Sequence, residues 1–190
     1  MTARSVSPLL DVLVVFAAVY ALQLLASLVN VMAGFFVLSP PLAENPWTVV
    51  TSVYAHDNAG HLVSNAIALV VFGFPVAAAT TRLRFHAFFL GTGAVAGLSQ
   101  VLLSDLFAGL PVVGITATSV LGASGAVFAL LGYLLASNRL VAGFGAIADV
   151  PRWVTYFVFL VLAGVLTIVT ASPGVALIAH FTGLLLGLVA

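Results

Sequence analysis

The chain has no cysteine and no lysine, and only 5% of its 190 residues are charged. Without cysteine there is no disulfide framework, no thiol nucleophile and no thiolate-bound metal. Five arginines balance five acids to a formal net charge of zero, which excludes the basic surface that nucleic-acid binding requires. Soluble domains carry about 25% charged residues. A chain that is 63% hydrophobic, with mean hydropathy +1.30, has too little polar surface to cover itself in water. It has long apolar runs instead, and reads as an all-α polytopic protein of the lipid bilayer.

A helical span needs about 20 predominantly apolar residues. Six segments are expected to cross, at about 9–38, 61–79, 86–103, 122–137, 152–170 and 174–190, within a single membrane domain over 1–190. The first run is too long for the apolar core of a cleaved signal peptide, so it is expected to be a retained span. The last run reaches Ala190, which suggests a trimmed or very short C-terminal tail. No convincing internal repeat appears, which weakens a transporter reading.

The arginines support this count. Arg4 precedes the first span, Arg82 and Arg84 lie between the second and third, and Arg139 and Arg152 between the fourth and fifth. With both termini inside, all five fall on the cytoplasmic side, as the positive-inside rule expects. Glu44, Asp57 and Asp105 fall outside. The outer connections 39–60 and 104–121 are too apolar for ordinary aqueous loops, and Trp47 and Tyr54 suit the interface. Non-helical backbone at membrane depth is tolerated where it is buried in protein or lines a wet cavity, so a cavity open to the outside is expected.

Depth arithmetic brings four polar residues to one layer. Counting from Arg139 at 1.5 Å per residue, Ser124 lies about 22 Å above the inner edge of a core about 30 Å thick. The fourth helix is therefore short and buried, with its serine below the outer surface. His180 falls about 10 Å below an outer edge set at Pro173. His61 reaches the outer edge and Asn65 lies about 5 Å below it, the two stacked on one face by their i, i+4 spacing. Ionisable residues inside a membrane are functional candidates by default.

A serine hydroxyl needs an adjacent base to act as a nucleophile, and histidine is the usual one. Ser124 at a helix N-terminus brings free backbone N–H groups, Asn65 an amide and His61 a ring N–H, the donors an oxyanion requires. No acid stands near enough to complete a triad, which leaves a Ser–His dyad.

These residues sit in three motifs: Gly122-Ala123-Ser124-Gly125 opening the fourth span, "AHFTGLLLG" around His180 in the sixth, and "HLVSN" over 61–65 in the second. Together they resemble the rhomboid intramembrane serine proteases, whose marks are G-x-S-G, A-H-x-x-G-x-x-x-G and H-x-x-x-N in that arrangement. The resemblance extends from the first span to the sixth. It implies a six-helix rhomboid-like bundle that cleaves transmembrane-helix proteins near the outer membrane face, with no cofactor and no metal. Ser124 would be the nucleophile, His180 the base, and the Ser124 N–H, His61 and Asn65 the oxyanion hole. The sequence departs from the family at three places. Thr48 follows Trp47 where an arginine is common, Phe128 replaces a tyrosine expected to pack on the histidine, and Ser52 stands where a histidine can occur ahead of His56.

Plainer readings apply to the same residues. Small residues are common in membrane helix packing, and Gly122, Gly125, Gly183 and Gly187 are expected to let the fourth and sixth helices approach closely enough for Ser124 to meet His180. His56 is expected to be structural and His86 to sit at the inner interface. The leading alternative is a catalytically silent relative that binds membrane-protein clients. A metalloprotease using His56, His61 and His180 lacks an H-E-x-x-H pattern. A channel or transporter would have only Asp11 as a charge within its spans. The absence of lysine and the abundance of Ala, Val and Gly fit the cell membrane of a GC-rich prokaryote, with the active site open to the extracytoplasmic side.

Overall fold

The computed structural model describes residues 7–107, 119–137, 151–169 and 175–190. Eight α-helices run through these residues: α1 (Ser7–Leu28), α2 (Met32–Phe36), α3 (Thr48–Thr51), α4 (Ala59–Ala79), α5 (Arg82–Phe107), α6 (Ser124–Ser137), α7 (Arg152–Val169) and α8 (Leu177–Val189). A 3-10 turn at Ser52–Tyr54 continues α3, and a β-bridge joins Leu38 to Val120. Most of the expected loop 104–121, the inner connection after α6, Arg4, Arg139 and Pro173 lie outside the described residues.

Three helices are long and apolar enough to cross a membrane: Pro8–Leu28, Ala59–Ala79 and Arg82–Ser104. They are apolar on every side, and large hydrophobic side chains such as Val14, Leu25, Ile67 and Leu102 face outward. That pattern is stable only with lipid as the solvent. The chain is an integral membrane protein. The other apolar helices, α6, α7 and α8, are shorter. At 14 residues α6 is about 21 Å long, less than the hydrocarbon thickness.

Several expected boundaries move, the first span's end the furthest. The first span was placed at 9–38, but α1 ends at Leu28. Asn30 takes the left-handed conformation at φ 60°, and Val31 N–H donates to Ala26 O while Asn30 N–H donates to Ser27 O. This is a Schellman close, and asparagine is among the few residues that tolerate the left-handed position. The chain then turns through α2 toward Leu38. At its other end, α5 begins at Arg82, four residues before the expected start.

The buried α6 organises the bundle. One core cluster gathers Phe16 of α1, Leu69 and Val76 of α4, Phe85 and Phe89 of α5, and Val127 and Leu130 of α6. A second holds Ala163 of α7 and Leu184 and Leu188 of α8 beside partly buried residues of α6. Alignment between helices is also set by polar contacts, because lipid supplies no hydrophobic force between them. Arg82 Nε and Nη2 donate to the two carboxylate oxygens of Asp11, each at 2.7 Å, and His86 Nε2 lies 2.9 Å from Asp11 Oδ2. These contacts tie the start of α1 to the start of α5. Gln100 of α5 accepts from Ala179 N–H of α8 at 3.2 Å, supplying a cap that Ala176, at the helix N-cap, has no side chain to make.

Candidate active site

Ser124 is the first residue of α6, and the strand-like segment before it is pinned on both sides. Leu38 and Val120 exchange N–H···O bonds of 2.9 Å, and Gly122 N–H donates to Ser52 O at 2.9 Å. Gly122 has φ 135°, a conformation suited to glycine, and a Cβ there would meet His61 Cε1 at 2.8 Å. The His61 ring therefore lies directly against the peptide that leads into Ser124. Because Ser124 opens the helix, its N–H and the next ones have no intrahelical acceptor, and the positive end of the helix dipole sits there.

His61 and Asn65 come from the first turns of α4. Asn58 caps that helix, its Oδ1 accepting from His61 N–H at 2.9 Å. Asn65 is buried, and one of its amide hydrogens is spent on His61 O at 3.0 Å, where Ser64 Oγ also donates. The second amide hydrogen makes no hydrogen bond among the described residues.

His180 lies on the first turn of α8, buried, with its ring stacked on Phe128 at a centroid distance of 4.3 Å and 17° between planes. Losing the tyrosine hydroxyl at position 128 leaves this stack in place. His180 Nδ1 is buried and has no hydrogen-bond partner among the described residues, so no acid orients the ring. Two close approaches seat this helix against α6. A Cβ on Gly183 would overlap the Gly125 carbonyl, and one on Gly187 the Ala129 carbonyl. The two backbones touch, as the small-residue stripes suggested.

Ser124, His180, His61, Asn65 and Phe128 line one cavity of about 630 Å³. No hydrogen bond joins Ser124 Oγ to His180 among the described residues. In unliganded enzymes catalytic hydrogen bonds are often long and tighten in the complex. The pair shares a cavity without a hydrogen bond between them.

His56 is set apart behind this layer. It is buried with both ring nitrogens unpartnered, edge-on to Phe16 at 4.7 Å and to His61 at 5.2 Å between centroids. Burial, and secondarily the neighbouring His61, pushes its pKa down from 6.5 to about 4. Gln23 of α1 clamps the His56 backbone from both sides, Oε1 accepting from its N–H at 2.9 Å and Nε2 donating to its carbonyl at 3.2 Å. Among the described residues, no three His, Asp or Glu side chains are gathered closely enough to hold a metal ion.

Sequence reasoning passed over Gln23 and Gln100, and gave Asp57 no role beyond its place on the outer side. The two glutamines carried a usable signal, since an amide in the middle of an apolar span must find a partner. Asp57 lines the cavity at its rim. A family model described as a rhomboid domain matches residues 43–190. No curated protein matches the chain.

Proposed function

Because this chain belongs to the rhomboid family, we propose that it is an intramembrane serine endopeptidase cleaving transmembrane proteins near the outer face of the bilayer. The observation that carries the reading is that Ser124, His180, His61 and Asn65, from three helices, line a single cavity. Six spans with both termini in the cytoplasm and a cavity open to the extracytoplasmic side of a prokaryotic membrane complete the proposal. The distribution of arginines and the shortness of α6 support that topology.

In this reading Ser124 Oγ attacks the scissile carbonyl while the His180 imidazole takes its proton. The same proton then passes to the leaving amine, and an acyl-enzyme remains on Ser124. Water enters through the cavity, loses a proton to His180 and adds to the acyl carbon; the ester bond to Ser124 Oγ then breaks, His180 returns the proton to that oxygen, and the second product leaves as a carboxylic acid. The negative charge on the tetrahedral oxygen is met by the Ser124 N–H at the head of α6, the free Asn65 amide hydrogen and the His61 ring. Removing one such donor costs about 3 to 4 kcal/mol, or a factor of 10² to 10³ in rate. A substrate helix must unwind to expose its carbonyl, so Gly, Ala or Pro near the outer end of its span is expected.

The test is turnover of a single-span substrate by purified protein in detergent, comparing wild type with Ser124→Ala and His180→Ala, alongside fluorophosphonate labelling. Wild type should cleave and become labelled at Ser124, and both variants should lose both properties. A Ser124→Ala protein that still cleaves would overturn the mechanism. A wild-type protein that neither cleaves nor labels would favour the silent client-binding alternative.

A further inference from the structure

Among the described residues lining the cavity, Asp57 is the only formally charged one. It stands at the rim with its side chain 66% exposed, Oδ2 lying 3.9 Å from His61 Nδ1. No guanidinium reaches it among the described residues, and the sequence explains why. No arginine or lysine occurs over 5–81, 85–138 or 153–190, and every lining residue falls in one of those stretches. Among the described residues, then, Asp57 places a carboxylate at the cavity mouth with no arginine beside it.

Such a charge discriminates between peptides by sign. A lysine or arginine just on the aqueous side of the bond to be cut can lay its aliphatic stem along the apolar wall and present its charged head at the rim. A glutamate in that place meets the Asp57 carboxylate. We propose that Asp57 is a specificity-determining residue that selects membrane-protein substrates with a basic side chain on the aqueous side of the scissile bond. This deepens the protease reading and rests on it.

The test uses one single-span substrate in three forms, with Lys, Gln or Glu scanned over the first four positions on the aqueous side of the cleavage point. The readout is the ratio of kcat/KM values within each enzyme variant, which cancels differences in the amount of folded protein. At low ionic strength the wild type should favour Lys over Gln by about threefold, and Lys over Glu by about tenfold, at its best position, the scale of a solvent-exposed ion pair. Asp57→Asn should flatten the ratios and Asp57→Lys should invert them. The preference should shrink in 0.5 M salt, where screening shortens the Debye length to about 4 Å. Ratios near one in wild type at every position would overturn the proposal. So would Asp57→Asn slowing all three substrates equally, because Asp57 would then act only through His61. Binding of the same three peptides to Ser124→Ala reads the charge preference without cleavage. Absence of wild-type turnover thus overturns the protease reading, whereas flat binding ratios overturn this one.

Discussion

Gly183→Ala probes the contact on which the meeting of Ser124 and His180 depends. A methyl group on Gly183 would point into the Gly125 backbone, 2.8 Å from its carbonyl carbon and 3.1 Å from its Cα. Carbon atoms rest comfortably at about 3.5 to 4.0 Å, so α8 must withdraw from α6 by about 1 Å. The obstacle is main chain and cannot rotate aside. Overpacking of this kind costs about 1 to 3 kcal/mol. His180 sits three residues earlier, one turn up on the same side of the helix, and retreats with it. A displacement of about 1 Å at a catalytic pair can cost about 10²-fold in rate. Gly183→Ala should therefore lose about two orders of magnitude in fluorophosphonate labelling of Ser124 and in substrate turnover, with a lowered Tm in detergent. Gly164→Ala in α7, where a Cβ meets nothing within 4 Å, is the control and should match wild type. Turnover of Gly183→Ala within about threefold of wild type, per folded molecule, would refute the argument that backbone contact sets the approach of the two residues.

Two further outcomes follow from groups outside the cavity's reacting layer. His56 has its pKa lowered to about 4 by burial, so between pH 6.5 and 4 the unfolded chain binds a proton that the folded chain refuses, and stability falls as the pH falls. By pH 4.5 this amounts to about 2 to 3 kcal/mol. Denaturant unfolding in detergent should show His56→Leu losing less stability than wild type over that window, and parallel pH profiles would refute the assignment. Asp11→Asn removes the bidentate pair with Arg82 and the contact with His86. It should lower Tm, by a margin over wild type that narrows in 1 M salt because the pair is partly exposed. A salt-independent gap would point to packing instead.

How much of the molecule is legible in the sequence depends on how costly each residue is where it stands. Within apolar spans a polar side chain is expensive, so Ser124, His180, His61 and Asn65 stand out against their surroundings, and helical rise alone brings them to one depth. The structure gathers those four into one cavity. The glycine stripes were legible for the same reason, since small residues at a four-residue spacing announce a close neighbour. That they pair the fourth helix with the sixth was expected too, but not which residue meets which. Periodicity names a face, and only the fold shows that Gly183 meets Gly125 and that Gly122 meets the His61 ring.

The features that stayed hidden have two physical causes. The end of α1 at Leu28 lies inside an unbroken apolar run, and hydropathy is blind to the left-handed turn at Asn30 that stops the helix there. Gln100 reads as an unexplained amide until α8 brings an uncapped N–H to it. Asp57 reads as an ordinary loop acid until the cavity opens beside it. The first is a local matter of backbone conformation, whereas the other two depend on what another segment brings near rather than on the residue's own neighbours in sequence. In a bilayer that distinction sharpens, because association between helices draws on shape and on a few hydrogen bonds instead of on burial from water. Residues that set helix partners are therefore small or singly polar, and their roles become apparent only in the assembled bundle. Those that would carry the chemistry are conspicuous by their polarity alone.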